Sequence, residues 1–305
     1  KGLYAYRETK YEESIAYNKQ SLKIDSNYAL PYAYMALAKT WIITQSHDFK
    51  NAKAIAEAQS YAQNAIRLDP QLAEGYSATA LIARSIEHNF SKAREFFEKS
   101  LELNPSSTLT KNRYAYFLFY MGDFDKAEKM ATEALKSDPV DYNSYVVLAD
   151  VYIYTGKFSE ADKYIEEGLR LFPDRYEFPR LQLEKKFRSG DYKDLILDYE
   201  LLKSAGKKIS HPGLSQICIA YQKAGRQKES DDIFQYLKNQ TGNYYSAAMV
   251  YAARNEKDSA IAQLEAFLEL GDYGFSGFKI EPLFNSLKDD ARYKSLYTKY
   301  GFDKY

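Results

Sequence analysis

The residues that could do chemistry in this 305-residue sequence are few and scattered. Gly156-Lys157 and Gly206-Lys207 have the last residue types of a phosphate-binding loop. However, Phe158 and Lys208 stand where a Ser or Thr must meet the metal, and no glycine lies at the required spacing upstream. Gly271, Gly274 and Gly277 have no strand before them and read as a connector. The three histidines, His47, His88 and His211, fall in three separate predicted turns, so neither a metal cluster nor a general base with an orienting partner can be assembled. His47-Asp48 reads as a solvated turn. Cys218 is the only cysteine; it excludes an internal disulfide and, with no His beside it, fits a packed small position better than a nucleophile. The expectation is a protein that is not an enzyme and holds no metal and no cofactor.

Charge narrows the partners. Lys plus Arg and Asp plus Glu number 42 each, so no global field draws the chain to nucleic acid or to an anionic membrane. The cluster Arg180, Lys185, Lys186, Arg188 is where a nucleic acid or regulator peptide could be sensed, and zero net charge argues against the nucleic acid. No apolar run approaches the roughly 18 residues that span a bilayer, so no membrane insertion is expected. No secretory signal is visible after Lys1; a cytoplasmic location is expected, with the periplasm as the alternative.

What positions these residues is a repeat. Gly122 is followed by Gly156, Phe124 by Phe158, Ala127 by Ala161 and Pro139 by Pro173, each 34 positions on. Small and large residues alternate at helical spacing between them: Tyr145, Leu148, Ala149 and Tyr152, then Ala161, Ile165 and Gly168. The prolines stop a second helix, and the glycines serve the turn between paired helices, where positive φ is accessible. Units extend to both sides. The second opens at Ala29 and closes at Pro70 with about ten extra residues between Trp41 and Ala54, predicting lengthened helices or a protruding loop. The third closes at Pro105, and the sixth is degenerate but in register at Gly190, with Lys207 where Pro is expected. Gly2, Ser14, Asn18 and Ser21 place the start of the chain inside a repeat, which marks Lys1 as a fragment boundary with a covering region upstream. The 30 tyrosines suit seams between stacked helices, each burying a ring while its hydroxyl stays polar.

This pattern resembles the tetratricopeptide repeat. The resemblance implies an all-α, right-handed superhelical solenoid of helix-turn-helix repeats, with residues 1–268 forming about eight helix pairs, the first truncated. Residues 269–305 would form a terminal loop and a capping helix. The end of the chain, with Pro282, Leu283, Phe284, Leu287, Asp289, Asp290, Arg292, Tyr293, Leu296, Tyr300 and Gly301, is similar to the end of repeat domains that follow a cyclase, kinase or DNA-binding domain in bacterial multidomain regulators; Ala291 stands where that set has Pro. The implied function is a non-catalytic protein-interaction module, regulatory or scaffolding, of a larger bacterial signalling or transcription-regulating protein. The alternatives are a free-standing scaffold in envelope assembly and a sensor of peptide or nucleic acid.

In such a solenoid the first helix of each pair builds the inner wall. The expected groove residues, for a protein or peptide partner, are Tyr34 and Trp41 in the second unit, then Asn112, Arg113, Tyr116, Phe119 and Tyr120 in the fourth. Asn143, Asp150 and Tyr154 follow in the fifth, and Arg180 and Arg188 in the sixth. Leu37, Val147, Glu184 and Phe187 fall on the same faces. Rings offer large rigid contact area and guanidinium pairs with carboxylate, which is what recognition surfaces favour. The competing reading is that these rings pack against the next repeat. A Lys and Asn clamp for a chain-terminal carboxylate is not predicted, because Tyr116 follows Asn112 where a second Asn would be needed.

Overall fold

A computed structural model describes residues 1–206, 211–240, 242–271 and 277–304, and it is helical throughout its regular elements. Helices pair in chain order: α1 (Gly2–Arg7) with α2 (Tyr11–Ile24), α3 (Ala29–Gln45) with α4 (Ala52–Leu68), α5 (Ala73–Ser85) with α6 (Phe90–Leu103), and α7 (Thr108–Tyr120) with α8 (Phe124–Ser137). The series continues with α9 (Tyr142–Tyr154) and α10 (Phe158–Leu171), α11 (Glu177–Ser189) and α12 (Tyr192–Ser204), α13 (His211–Lys223) and α14 (Gln227–Lys238), then α15 (Tyr244–Ala253) and α16 (Lys257–Glu269). A terminal segment holds two 3₁₀ turns, Gly277–Lys279 and Pro282–Leu287, then α17 (Ala291–Lys299) and a last 3₁₀ turn, Phe302–Lys304.

The repeat positions explain the pairing. Ala93, Ala127 and Ala161 are buried where the helices of a pair approach, and Phe97, Ala131 and Ile165 fill the next turn. Gly168 goes further: a Cβ there would meet the Phe178 ring of α11 at 2.0 Å, so only glycine lets these two helices close. The turn inside each pair takes a left-handed residue. Gly122 (φ 81) and Gly156 (φ 74) supply it as expected, but Thr9, His47, His88 and Asn255 hold the same place at φ 60, 52, 49 and 62. His47 and His88 are therefore turn formers, whereas His211 is the first residue of α13 and not part of a turn. The extra residues of the second unit lengthen α3 and α4 to 17 residues each, joined by a short connector. Cys218 is buried, its thiol pushed up by burial, with Sγ 3.2 Å from the Ser230 carbonyl. Lys207, Lys208 and Gly274 lie outside the described residues.

Tyrosines bind the seams together. Tyr76 and Tyr145 each donate from the first helix of a pair to the carbonyl of the proline before it, Pro70 and Pro139, at 3.1 Å. At the start of the chain Ser14 Oγ donates to the Gly2 carbonyl at 2.9 Å, so α1 and α2 pack as a pair although α1 is six residues long.

The terminal segment does more than cover the last pair. Phe284 stands edge-on to Tyr245 of α15, with centroids 5.7 Å apart. Phe278 centres an aromatic cluster with Phe302 at 4.9 Å, Tyr293 at 5.3 Å and Tyr297 at 5.9 Å. Phe302 in turn packs on Phe90 of α6 at 5.1 Å. Glu281 pairs with Arg188 of α11, and Gly271 abuts Phe49 of the α3–α4 connector. The solenoid thus winds until its end touches its second, third and sixth pairs, and the wall closes around an interior space.

Candidate binding cavity

The interior space is a cavity of about 1750 Å³. It is lined mainly by the first helix of successive pairs, from Tyr6 on α1 to Tyr245 on α15, and by the terminal segment at Glu281. Of the twelve expected groove residues, eleven line it: Trp41, Asn112, Arg113, Tyr116, Phe119, Tyr120, Asn143, Asp150, Tyr154, Arg180 and Arg188. Tyr34 does not. It is buried behind α1, its ring 5.9 Å from that of Tyr6, and so belongs to the core. Leu37, Val147 and Phe187 are core residues as well.

Lining the cavity is not the same as lying exposed in it. Asn112, Arg113, Phe119 and Asp150 are buried in the wall. Asn112 bridges two pairs: its amide donates to Asp141 Oδ2 at 2.6 Å and its oxygen accepts from Ser144 Oγ at 2.9 Å. Asp141 also caps α9 by accepting the Ser144 N–H, and burial raises its carboxyl pKa against these bonds. Phe119 stands edge-on to Tyr154 at 5.1 Å.

The charges of the central wall form a network. Arg180 reaches Asp150 at 3.1 Å; burial raises the Asp150 carboxyl, and the guanidinium pulls it back down. Arg188 donates through Nε to Glu184 at 2.8 Å and through Nη1 and Nη2 to Glu281 at 3.0 and 2.6 Å, and its Nη2 also reaches the Tyr154 hydroxyl at 3.0 Å. Gln216 on α13 donates to Glu184. In the basic cluster of α11, Lys185 pairs with Asp162 and Lys186 with Asp198, so all four cations carry a carboxylate. On α5, the Arg84 guanidinium lies 5.4 Å over the Tyr120 ring, and burial lowers its pKa to about 9. Burial raises the Tyr116, Tyr120, Tyr154 and Tyr245 phenols, which stay neutral donors and acceptors.

Tyr6, Arg84, Tyr245 and Glu281 are wall residues that the sequence did not single out. An arginine inside the apolar run Ala80-Leu81-Ile82-Ala83-Arg84 was the readable signal for one of them. No group of three or more His, Cys, Asp or Glu able to hold a metal is found among the described residues. Nor is any helix among them long and apolar enough to cross a membrane.

The helix pairs, their 34-residue period and the left-handed turns agree with a family model: residues 118–182 match that of the tetratricopeptide repeat. These are tetratricopeptide repeats. No curated sequence matches the chain. Among solved structures, the repeat array is similar to a tetratricopeptide repeat protein from Parabacteroides merdae, with a TM-score of 0.58 and 14% identity over 76% of this chain and 93% of that one. It is similar to PilW, a type IV pilus biogenesis factor, with a TM-score of 0.56 and 18% identity over 69% of this chain and 97% of that one. It is also similar to the APC/C hetero-tetramer Cut9–Hcn1, with a TM-score of 0.61 and 16% identity over 94% of this chain and 54% of that one. At these identities the similarity establishes the tetratricopeptide fold and nothing finer.

Proposed function

We propose that this chain is a non-catalytic interaction module that takes a peptide segment of a partner protein into its interior cavity. The observation that carries this reading is the cavity itself, about 1750 Å³ and walled by rings alternating with charged and amide side chains. That volume exceeds the roughly 300–1,000 Å³ of small-molecule pockets, so the occupant has the size of a chain segment. Tyr116 of the fourth pair and Arg180 of the sixth both line this space, and aromatic rings and guanidinium groups are the usual make-up of a recognition hot spot. The similarity of the terminal segment to that of bacterial multidomain regulators supports a regulatory or scaffolding role within a larger protein.

The test is selection of peptides on the full chain from a random library, followed by affinity measurement. Tyr116→Ala and Arg180→Ala should each weaken selected peptides by about 2 kcal/mol, roughly 30-fold, whereas Tyr236→Ala, on α14 outside the cavity, should not. Peptides insensitive to both wall substitutions would place recognition elsewhere.

A further inference from the structure

We propose that Arg113, Tyr6 and Trp41 form a subsite in this cavity for the carboxylate of an acidic side chain in the bound peptide; it rests on the reading of the cavity as a peptide site. Arg113 is 6% exposed, yet its partners are neutral. Nη1 donates to Ser77 Oγ and Nη2 to Tyr6 Oη, both at 2.9 Å, and the guanidinium lies 5.3 Å from the centroid of the Tyr6 ring. No carboxylate of the described residues is within ion-pair distance of it, whereas Arg180 and Arg188 on the same wall are each paired. A guanidinium does not give up its proton in a protein, so this charge is held out of water without a counter-ion.

Tyr6 adds an independent sign. Its hydroxyl oxygen accepts from Arg113 Nη2 and also from Trp41 Nε1 at 2.8 Å. Both lone pairs are taken, and its own proton has no acceptor among the described residues. The subsite therefore offers a positive charge and an O–H donor and lacks an anionic acceptor, and one carboxylate satisfies both. Tyr11 completes the frame, stacked on Trp41 with centroids 6.3 Å apart and 5.6 Å from Tyr6. Rings on two sides keep water away and strengthen the ion pair. A single guanidinium balances one negative charge; a phosphate monoester, close to two, would leave charge uncompensated. The same cavity is lined by Lys50 of the α3–α4 connector and by Asn143 on α9, so it has room for a chain that presents a side chain to Arg113.

Trp41 is the only tryptophan, so its fluorescence reports this subsite. The full chain is titrated at constant ionic strength with N-acetylglutamic acid amide, N-acetylglutamine amide, N-acetylalanine and inorganic phosphate. A saturable change is expected with the glutamic acid probe, at a concentration at least tenfold lower than with the other three. Arg113→Gln should abolish that preference, and Tyr6→Phe, which keeps the ring, should weaken it several-fold with the far-ultraviolet circular dichroism unchanged. Equal response to glutamine, tighter response to N-acetylalanine or phosphate, or a preference that survives both substitutions would overturn the subsite. Library peptides that bind without enrichment in Asp or Glu would also overturn it and leave the cavity reading intact. A library yielding no peptide would remove that reading, while the amino-acid probes still decide the subsite.

Discussion

Replacing Glu281 by Gln tests whether the terminal segment holds the superhelix closed. The Glu281 side chain is 1% exposed, accepts Nη1 and Nη2 of Arg188 at 3.0 and 2.6 Å, and caps the turn Pro282–Leu287 by accepting the Leu283 N–H at 3.0 Å. Glutamine keeps the shape and one oxygen for the cap, but it removes the negative charge and turns an amide N–H₂ toward a guanidinium N–H. Arg188 is not orphaned, because Glu184 and the Tyr154 hydroxyl still accept from it. A hydrogen bond to a charged group contributes about 1.5–3 kcal/mol, and the donor–donor contact adds to the loss, so about 2–4 kcal/mol is expected. Arg188→Met is harsher: it leaves two buried carboxylates, Glu184 and Glu281, without their shared cation, at a cost of about 3–5 kcal/mol. Urea unfolding of the full chain at pH 7, followed by circular dichroism, measures both. Small-angle scattering should show the substituted chains expanding before they unfold. If both variants stay within about 0.5 kcal/mol of the parent, as surface substitutions do, the ion pair does not hold the closure and the reasoning fails.

Two further outcomes follow from local geometry. Gly168→Ala would gain about 1 kcal/mol of helix propensity on an open helix, but the methyl group meets the Phe178 ring at 2.0 Å. A net loss of about 1–3 kcal/mol is expected, partly restored by Phe178→Leu; a melting temperature unchanged or raised by Gly168→Ala would refute this packing. His88 is half-buried at a left-handed turn, and burial lowers its imidazole pKa to about 4, below the ordinary 6.5. The folded state therefore favours the neutral ring, and its contribution is complete above pH 6.5. That contribution is lost as pH falls toward 4, by up to about 3 kcal/mol. His88→Asn keeps the left-handed turn and should flatten the loss in urea unfolding measured between pH 7 and pH 4; an unaltered slope would exclude His88 as its source.

Much of this protein was legible one repeat at a time. The helix pairs around Gly122, Pro139, Gly156 and Pro173 follow from periodicity and turn chemistry that operate within a few residues. The burial of Ala93, Ala127 and Ala161 follows from contact between neighbours in the chain. The inner-wall positions of the fourth to sixth units were readable for the same reason, since a helix that packs on its own partner leaves one predictable face inward.

Tertiary structure alone decided what that face meets. Arg113 and Tyr6 are 107 residues apart and Arg188 and Glu281 are 93 apart, separations over which no local pattern carries information. Whether the last unit returns to the third depends on small rotations summed over every pair, altered by the long α3 and α4 and by the degenerate sixth unit. That sum brings Phe302 onto Phe90 and turns an open groove into a walled cavity, whereas Tyr34 is covered by its nearest neighbour, α1. Residue types specify each helix and its nearest neighbour, whereas the accumulated geometry specifies which charges become buried and which of them find a counter-ion.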